Sequence, residues 1–109
     1  LIRERGVLTR FDIEEPGMLA LVEDIALGDP DPRVRVRAVE QLGFSEDPAA
    51  QSALRRALVD PSPDVVAAAV VELGALGDPA DRRYLEPLRD HASPTVREEV
   101  EFALEVFDE

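Results

Sequence analysis

Apolar residues recur at intervals of four along three stretches of the chain: Val34, Ala38 and Leu42, then Val65, Ala69 and Leu73, then Val96, Val100 and Leu104. That spacing lines one face of a helix, so each stretch predicts an amphipathic helix with these residues turned inward. Val36, Ala67, Val71 and Phe102 then fall on the far side, near solvent. Two further stretches, DPAAQSALRRALVD from Asp47 and DPADRRYLEPLRDH from Asp78, predict a second kind of helix. These face inward with Leu54, Ala57 and Leu58, and with Tyr84, Leu85 and Leu88. EPGMLALVEDIALGD from Glu15 reads as one more helix of the second kind, and residues 1 to 11 as a worn helix of the first kind.

The stretches are copies. Val34, Val65 and Val96 stand 31 residues apart, and DPDPRVRVRAVEQLG from Asp29 aligns with DPSPDVVAAAVVELG from Asp60. A third copy, DHASPTVREEVEFALE, begins at Asp90, one residue ahead of strict register. A period of this length marks a helical repeat array, in which each unit covers the apolar face of its neighbour. Asp31-Pro32, Ser62-Pro63 and Ser93-Pro94 read as starts of first helices, and Asp47-Pro48 and Asp78-Pro79 as starts of second helices; Glu15-Pro16 is a weaker version. A side-chain oxygen ahead of proline supplies a cap, and proline at the first helical position forfeits no bond. Gly43, Gly74 and Gly77 are expected to end first helices. The resulting division is a single domain over 1–109, with a degenerate repeat at 1–28, repeats at 29–59 and 60–90, and a half repeat at 91–109. The fold class is all-α, an α-α solenoid of about three and a half helical hairpins.

The wording of the units resembles the HEAT-repeat superfamily, in particular the short HEAT-like units of phycobilisome lyases. Those read approximately D-x-x-P-x-V-R-x-x-A-x-x-x-L-G followed by G-D-P-x-A, and the likeness covers about residues 29 to 107, clearest in the GDPAD of Gly77 to Asp81. Val66 stands where these units usually carry Arg, which implies a drier central unit. Glu105 stands where they carry Gly, which implies a last helix that runs on. The resemblance implies a scaffold that binds other proteins, and it puts the second helices on the concave side of the stack. It also admits a lyase-type accessory that holds a pigment or cofactor, and a plain structural spacer.

Composition narrows the chemistry. With 24 Asp and Glu against 12 basic residues, all of them Arg, the formal charge is −12. A field of that sign repels phosphate backbones, so no nucleic-acid partner is expected. There is no Cys, hence no disulfide, thiolate ligand or cysteine nucleophile. No apolar run is long enough to span a membrane, and no targeting segment is visible, which favours a cytoplasmic setting. A start at Leu1 suggests a processed or excised piece of a longer protein, and the last unit lacks its second helix. His91 is the single histidine and has no following Glu, so the His-Glu metal pairs of the family's hydroxylases cannot form. Ser62 and Ser93 are accounted for as caps. The expectation is a non-enzyme with no cofactor, no metal and a protein partner. Two surfaces are candidates for that partner. The concave one carries Gln51, Arg55, Arg82, Glu86 and Arg89; the convex one carries Val36, Val71 and Phe102. Glu98, Glu99, Glu101 and Glu105 with Asp108 and Glu109 make the C-terminal helix acidic, most simply as a solvated face.

Overall fold

The computed structural model describes residues 15–107, so the worn first helix expected over residues 1 to 11 lies outside them. Each helix start follows from local chemistry. The helices are α1 (Met18–Gly28), α2 (Pro32–Leu42), α3 (Pro48–Ala57), α4 (Pro63–Leu76), the single turn α5 (Arg82–Leu85) and α6 (Pro94–Phe107). Among the described residues there is no strand. Proline occupies the first turn of α2, α3 and α4, and the carboxylates of Asp31 and Asp47 accept the Arg33 and Ala49 amides at 2.9 Å. The Ser93 hydroxyl accepts from the Val96 amide at 3.3 Å. Ser62 departs from expectation. Its side chain makes no capping bond, and the Asp60 carboxylate instead accepts the Ser62 amide at 2.8 Å. Gly17, at φ 84°, precedes α1 where Glu15-Pro16 was expected to start it.

Helix ends show a second departure. Gly43 follows α2, and Gly77, at φ 69°, closes α4 with its amide on the Leu73 carbonyl. Gly74 does not end a helix. It lies inside α4, buried, where a Cβ would come within 2.9 Å of the Ala103 Cβ of α6. Glycine is there because two backbones approach closely. α6 runs on through Glu105 to Phe107, as the missing glycine implies.

α2, α4 and α6 form one layer and α1, α3 and α5 a second, with α4 packed against both α2 and α6. The shortest extent of the molecule, 17 Å, suits two layers of helices 8–10 Å apart. The core between them holds Leu42, Leu54, Leu73, Leu85 and Leu104 with Val39, Val65, Val66, Val70 and Val96. Ala67, expected near solvent, is buried, because α4 has a neighbour on each side and so buries a wider arc than a stripe of three residues. The helix expected from Asp78 is broken into a 3₁₀ turn at Pro79–Asp81, α5, and a second 3₁₀ turn at Glu86–Asp90. Pro87 has no amide to continue the α-helical ladder. Within this segment Leu85 is buried and Leu88 half-buried, but Tyr84, expected inward, is exposed.

Candidate functional site

In the second-helix layer the structure ties most of the expected concave residues to neighbours. Gln51 Nε2 donates to Asp78 Oδ2 and Asp81 Oδ2, both at 2.8 Å, and Arg55 Nε donates to Asp81 Oδ1 at 2.6 Å. Asp81 is fully buried, so these contacts satisfy a carboxylate that would otherwise lie unpaired in the interior. The bond to Asp81 raises the Arg55 pKa further above its ordinary value, and the bond from Gln51 lowers that of Asp78. The Arg55 guanidinium also lies over the Tyr84 ring, 4.9 Å from its centroid. Arg82 pairs with Glu86 at 3.0 Å along one helical face, while Arg89 reaches Glu101 only at 3.8 Å. The row therefore clasps one hairpin to the next through Gln51 and Arg55, and presents Arg82, Glu86 and Arg89 outward.

The first-helix layer has two seams, α2 with α4 and α4 with α6, and the 31-residue register lets them be compared position by position. At the first seam Arg35 grips Asp60 with two bonds, 2.9 Å and 3.0 Å, and donates to the Asp29 carbonyl at 2.7 Å. Both side chains of the pair are nearly buried, at 12% and 7% exposure. At the second seam the corresponding residues are Val66 and His91. The arginine and the aspartate are lost together. His91 keeps one duty of the position, since its Nδ1 accepts the Ser93 amide at 3.0 Å as Asp29 accepts from Asp31 and Asp60 from Ser62.

The seams differ again at their crossing points. Over Gly43 sits the Glu72 side chain of α4, whose carboxylate has its pKa raised, first by burial and then by Glu40. Over Gly74, in the same register, sits Ala103 of α6. A small residue where the first seam has a glutamate leaves a hollow of about 210 Å³ lined by Val71, Gly74, Ala75, Glu99, Phe102, Ala103 and Val106. Phe102 is 69% exposed, and Val71 and Val106 are each 45% exposed. The register series Glu40, Val71, Phe102 and Arg37, Ala68, Glu99 show the face turning from mixed charge at α2 to apolar with acidic flanks at α6. Val36, the third convex candidate, is half-buried and stands apart from this hollow. It lines an open trough of about 480 Å³ with Arg33, Arg37, Glu40, Gln41 and Asp64. The structure thus brings Val71 and Phe102 together and adds Val106, which a comparison with Phe44 and Ala75 in register could have revealed.

Compared with known families, residues 19–105 match HEAT repeats. The chain belongs to the HEAT-repeat family. HEAT repeats generally serve as scaffolds for protein interaction, and the family is typically non-enzymatic. The match is to HEAT repeats at large rather than to the short lyase-type units. No curated protein and no solved structure was found to match. Among the described residues of this HEAT domain, no group of His, Asp and Glu side chains converges to hold a metal ion, and no helix is long and apolar enough to cross a membrane.

Proposed function

We propose that this HEAT domain is a non-catalytic protein–protein interaction scaffold that receives its partner in the groove between α4 and α6. The observation that carries this reading is the cluster of Val71, Phe102 and Val106, all exposed and all lining one hollow over the close crossing of Gly74 and Ala103. Scattered apolar residues need no explanation, whereas a contiguous apolar hollow with a protruding aromatic at its edge is the form of a binding anchor site. At about 210 Å³ the hollow is smaller than the roughly 300–1,000 Å³ of small-molecule sites. It suits one or two side chains of a protein better than a pigment.

The outward row Arg82, Glu86 and Arg89, with Gln51 and Arg55 beneath it, remains the second reading; Tyr84, exposed beside Arg55 and Arg83, favours it. Partners recovered from the native source decide between the surfaces. On the first reading Phe102→Gln releases the partner with little change in the melt, and reversal of Arg82 and Arg89 to Glu leaves it bound. The opposite pattern assigns the partner to the second-helix layer. A partner indifferent to both variants defeats the two readings together.

A further inference from the structure

The groove between α4 and α6 has a charge pattern that specifies its occupant. Its floor is small and apolar, formed by Gly74, Ala75 and Ala103, with Val71, Phe102 and Val106 as walls. Glu98, Glu99 and Glu105 stand four before, three before and three after Phe102 on α6, the positions that surround it on a helix surface. None of the three has an ion-pair partner among the described residues. Among the described residues, no cation lines the groove. α4 contains neither Arg nor Lys, and the one arginine of α6, Arg97, is turned to the carbonyls of His91 and Ala92 at the helix start. A second copy of this chain, itself at −12, would bring acid against acid.

We infer that the groove docks a cationic amphipathic helix of a partner protein, its apolar stripe seated against Phe102, Val71 and Val106 and its Lys or Arg residues set against Glu98, Glu99 and Glu105. This rests on the reading of the groove as the docking site and adds the chemistry of what docks. The division of labour follows from general physics. Apolar anchors in the hollow supply affinity, since helices recognised in grooves use side chains at i, i+3, i+4 and i+7. The acidic flank steers the approach and rejects acidic segments, an effect that weakens as salt is added.

The test uses three synthetic peptides of about four helical turns. One carries a leucine stripe with lysine flanks, the second the same stripe with glutamate flanks, and the third the lysine composition with the stripe scrambled. Binding is read by fluorescence anisotropy and by amide shifts at Ala75, Phe102 and Val106. The lysine peptide is expected to bind with shifts at those amides, roughly 10-fold tighter than either control. It should lose roughly 10-fold with Phe102→Gln. The triple change of Glu98, Glu99 and Glu105 to Gln should remove most of its salt dependence. Ala103→Glu, which restores the glutamate of the first seam, should fill the hollow and block the peptide. Because that residue is buried, the exposed Phe102→Gln stands as the variant whose folding is not in question. Equal binding of the glutamate peptide, still lost with Phe102→Gln, overturns the charge inference while leaving the groove as the docking site. Equal binding of the scrambled lysine peptide, or binding insensitive to Phe102→Gln, overturns the inference and removes support from the groove itself.

Discussion

The two seams of the first-helix layer are built from the same register and held together differently. Between α2 and α4 the closure is polar: Arg35 on Asp60, with the Glu72 side chain laid over Gly43. Between α4 and α6 both polar devices are gone. Val66 and His91 replace the ion pair, and Ala103 meets Gly74 directly. A buried ion pair fixes geometry but carries a desolvation cost, whereas apolar contact yields its full burial energy only if the surfaces fit closely. The second seam therefore depends on shape, and its close crossing is also what opens the apolar groove above it.

The largest effect should come from the helix both seams share. Val65 is fully buried in α4, and Val65→Asp puts an unpaired charge there. A loss of about 3–5 kcal/mol is expected in urea unfolding, enough to remove much of the stability of a small domain. An unchanged midpoint would mean that α4 is not the shared element.

Next is an exchange of one seam's chemistry for the other's. Val66→Arg alone should lose several kcal/mol, because it drives a guanidinium into a fully buried site where, in register, His91 stands in place of Asp60. Adding His91→Asp recreates the pairing of the first seam, and the double variant should recover about 1–3 kcal/mol relative to additivity. Strictly additive losses would show that positions 66 and 91 do not face each other as positions 35 and 60 do.

The matched glycines give a smaller but sharper contrast. Gly74→Ala brings its Cβ to 2.9 Å from the Ala103 Cβ, an atom fixed to the α6 backbone, so two helices must separate. Gly43→Ala meets the flexible end of Glu72, which can swing into water. Gly74→Ala, inside α4, gains helix propensity of up to about 1 kcal/mol but incurs overpacking of about 1–3 kcal/mol. Gly43, at φ −65° just past the end of α2, accepts Ala without overpacking and gains about 0.4–1 kcal/mol from a stiffer unfolded chain. Thermal melts should rank Gly43→Ala above Gly74→Ala, and the reverse order would refute the account of the second seam.

The smallest effect belongs to Glu72. Its folded pKa is raised by burial and by Glu40, so the folded chain holds this proton more tightly than the unfolded chain. The stability this contributes is present below the ordinary Glu value and is lost as pH rises through the raised one. Glu72→Gln should therefore be the more stable form at neutral pH, and the gap should close in acid. A gap that is the same at both pH values would remove the protonation from the explanation.

Most of the fold was legible because helix starts and the 31-residue period are local signals: Pro32, Pro48, Pro63 and Pro94 all open helices, and Val65, Leu73 and Leu104 are all buried. The misreadings come from what neighbours impose. Gly74 looks like a stop in sequence and is a packing glycine because α6 crosses there. Ala67 is buried only because α4 is flanked on both sides. Among the candidate site residues, Arg55 reads as a free surface cation until the structure places the buried Asp81 beneath it. The groove was half legible. Phe102 and Val71 were in view, but the hollow depends on reading Gln41, Glu72 and Ala103 as one column across three units, and only the third is small.

The pairing of Arg35 with Asp60 acts as a rule of succession between units. The cation belongs to one copy and its carboxylate to the next, so a copy that opens with Asp29 and carries Arg35 must be followed by one that opens with an acid. A copy that carries Val66 is followed here by one that opens with His91, with no guanidinium left over. Copies of the two kinds are therefore not freely interchangeable. Placing a second copy of residues 29–59 where 60–90 now stands would aim an arginine at an imidazole, and the array could be lengthened or shuffled only at joints where donor and acceptor still alternate.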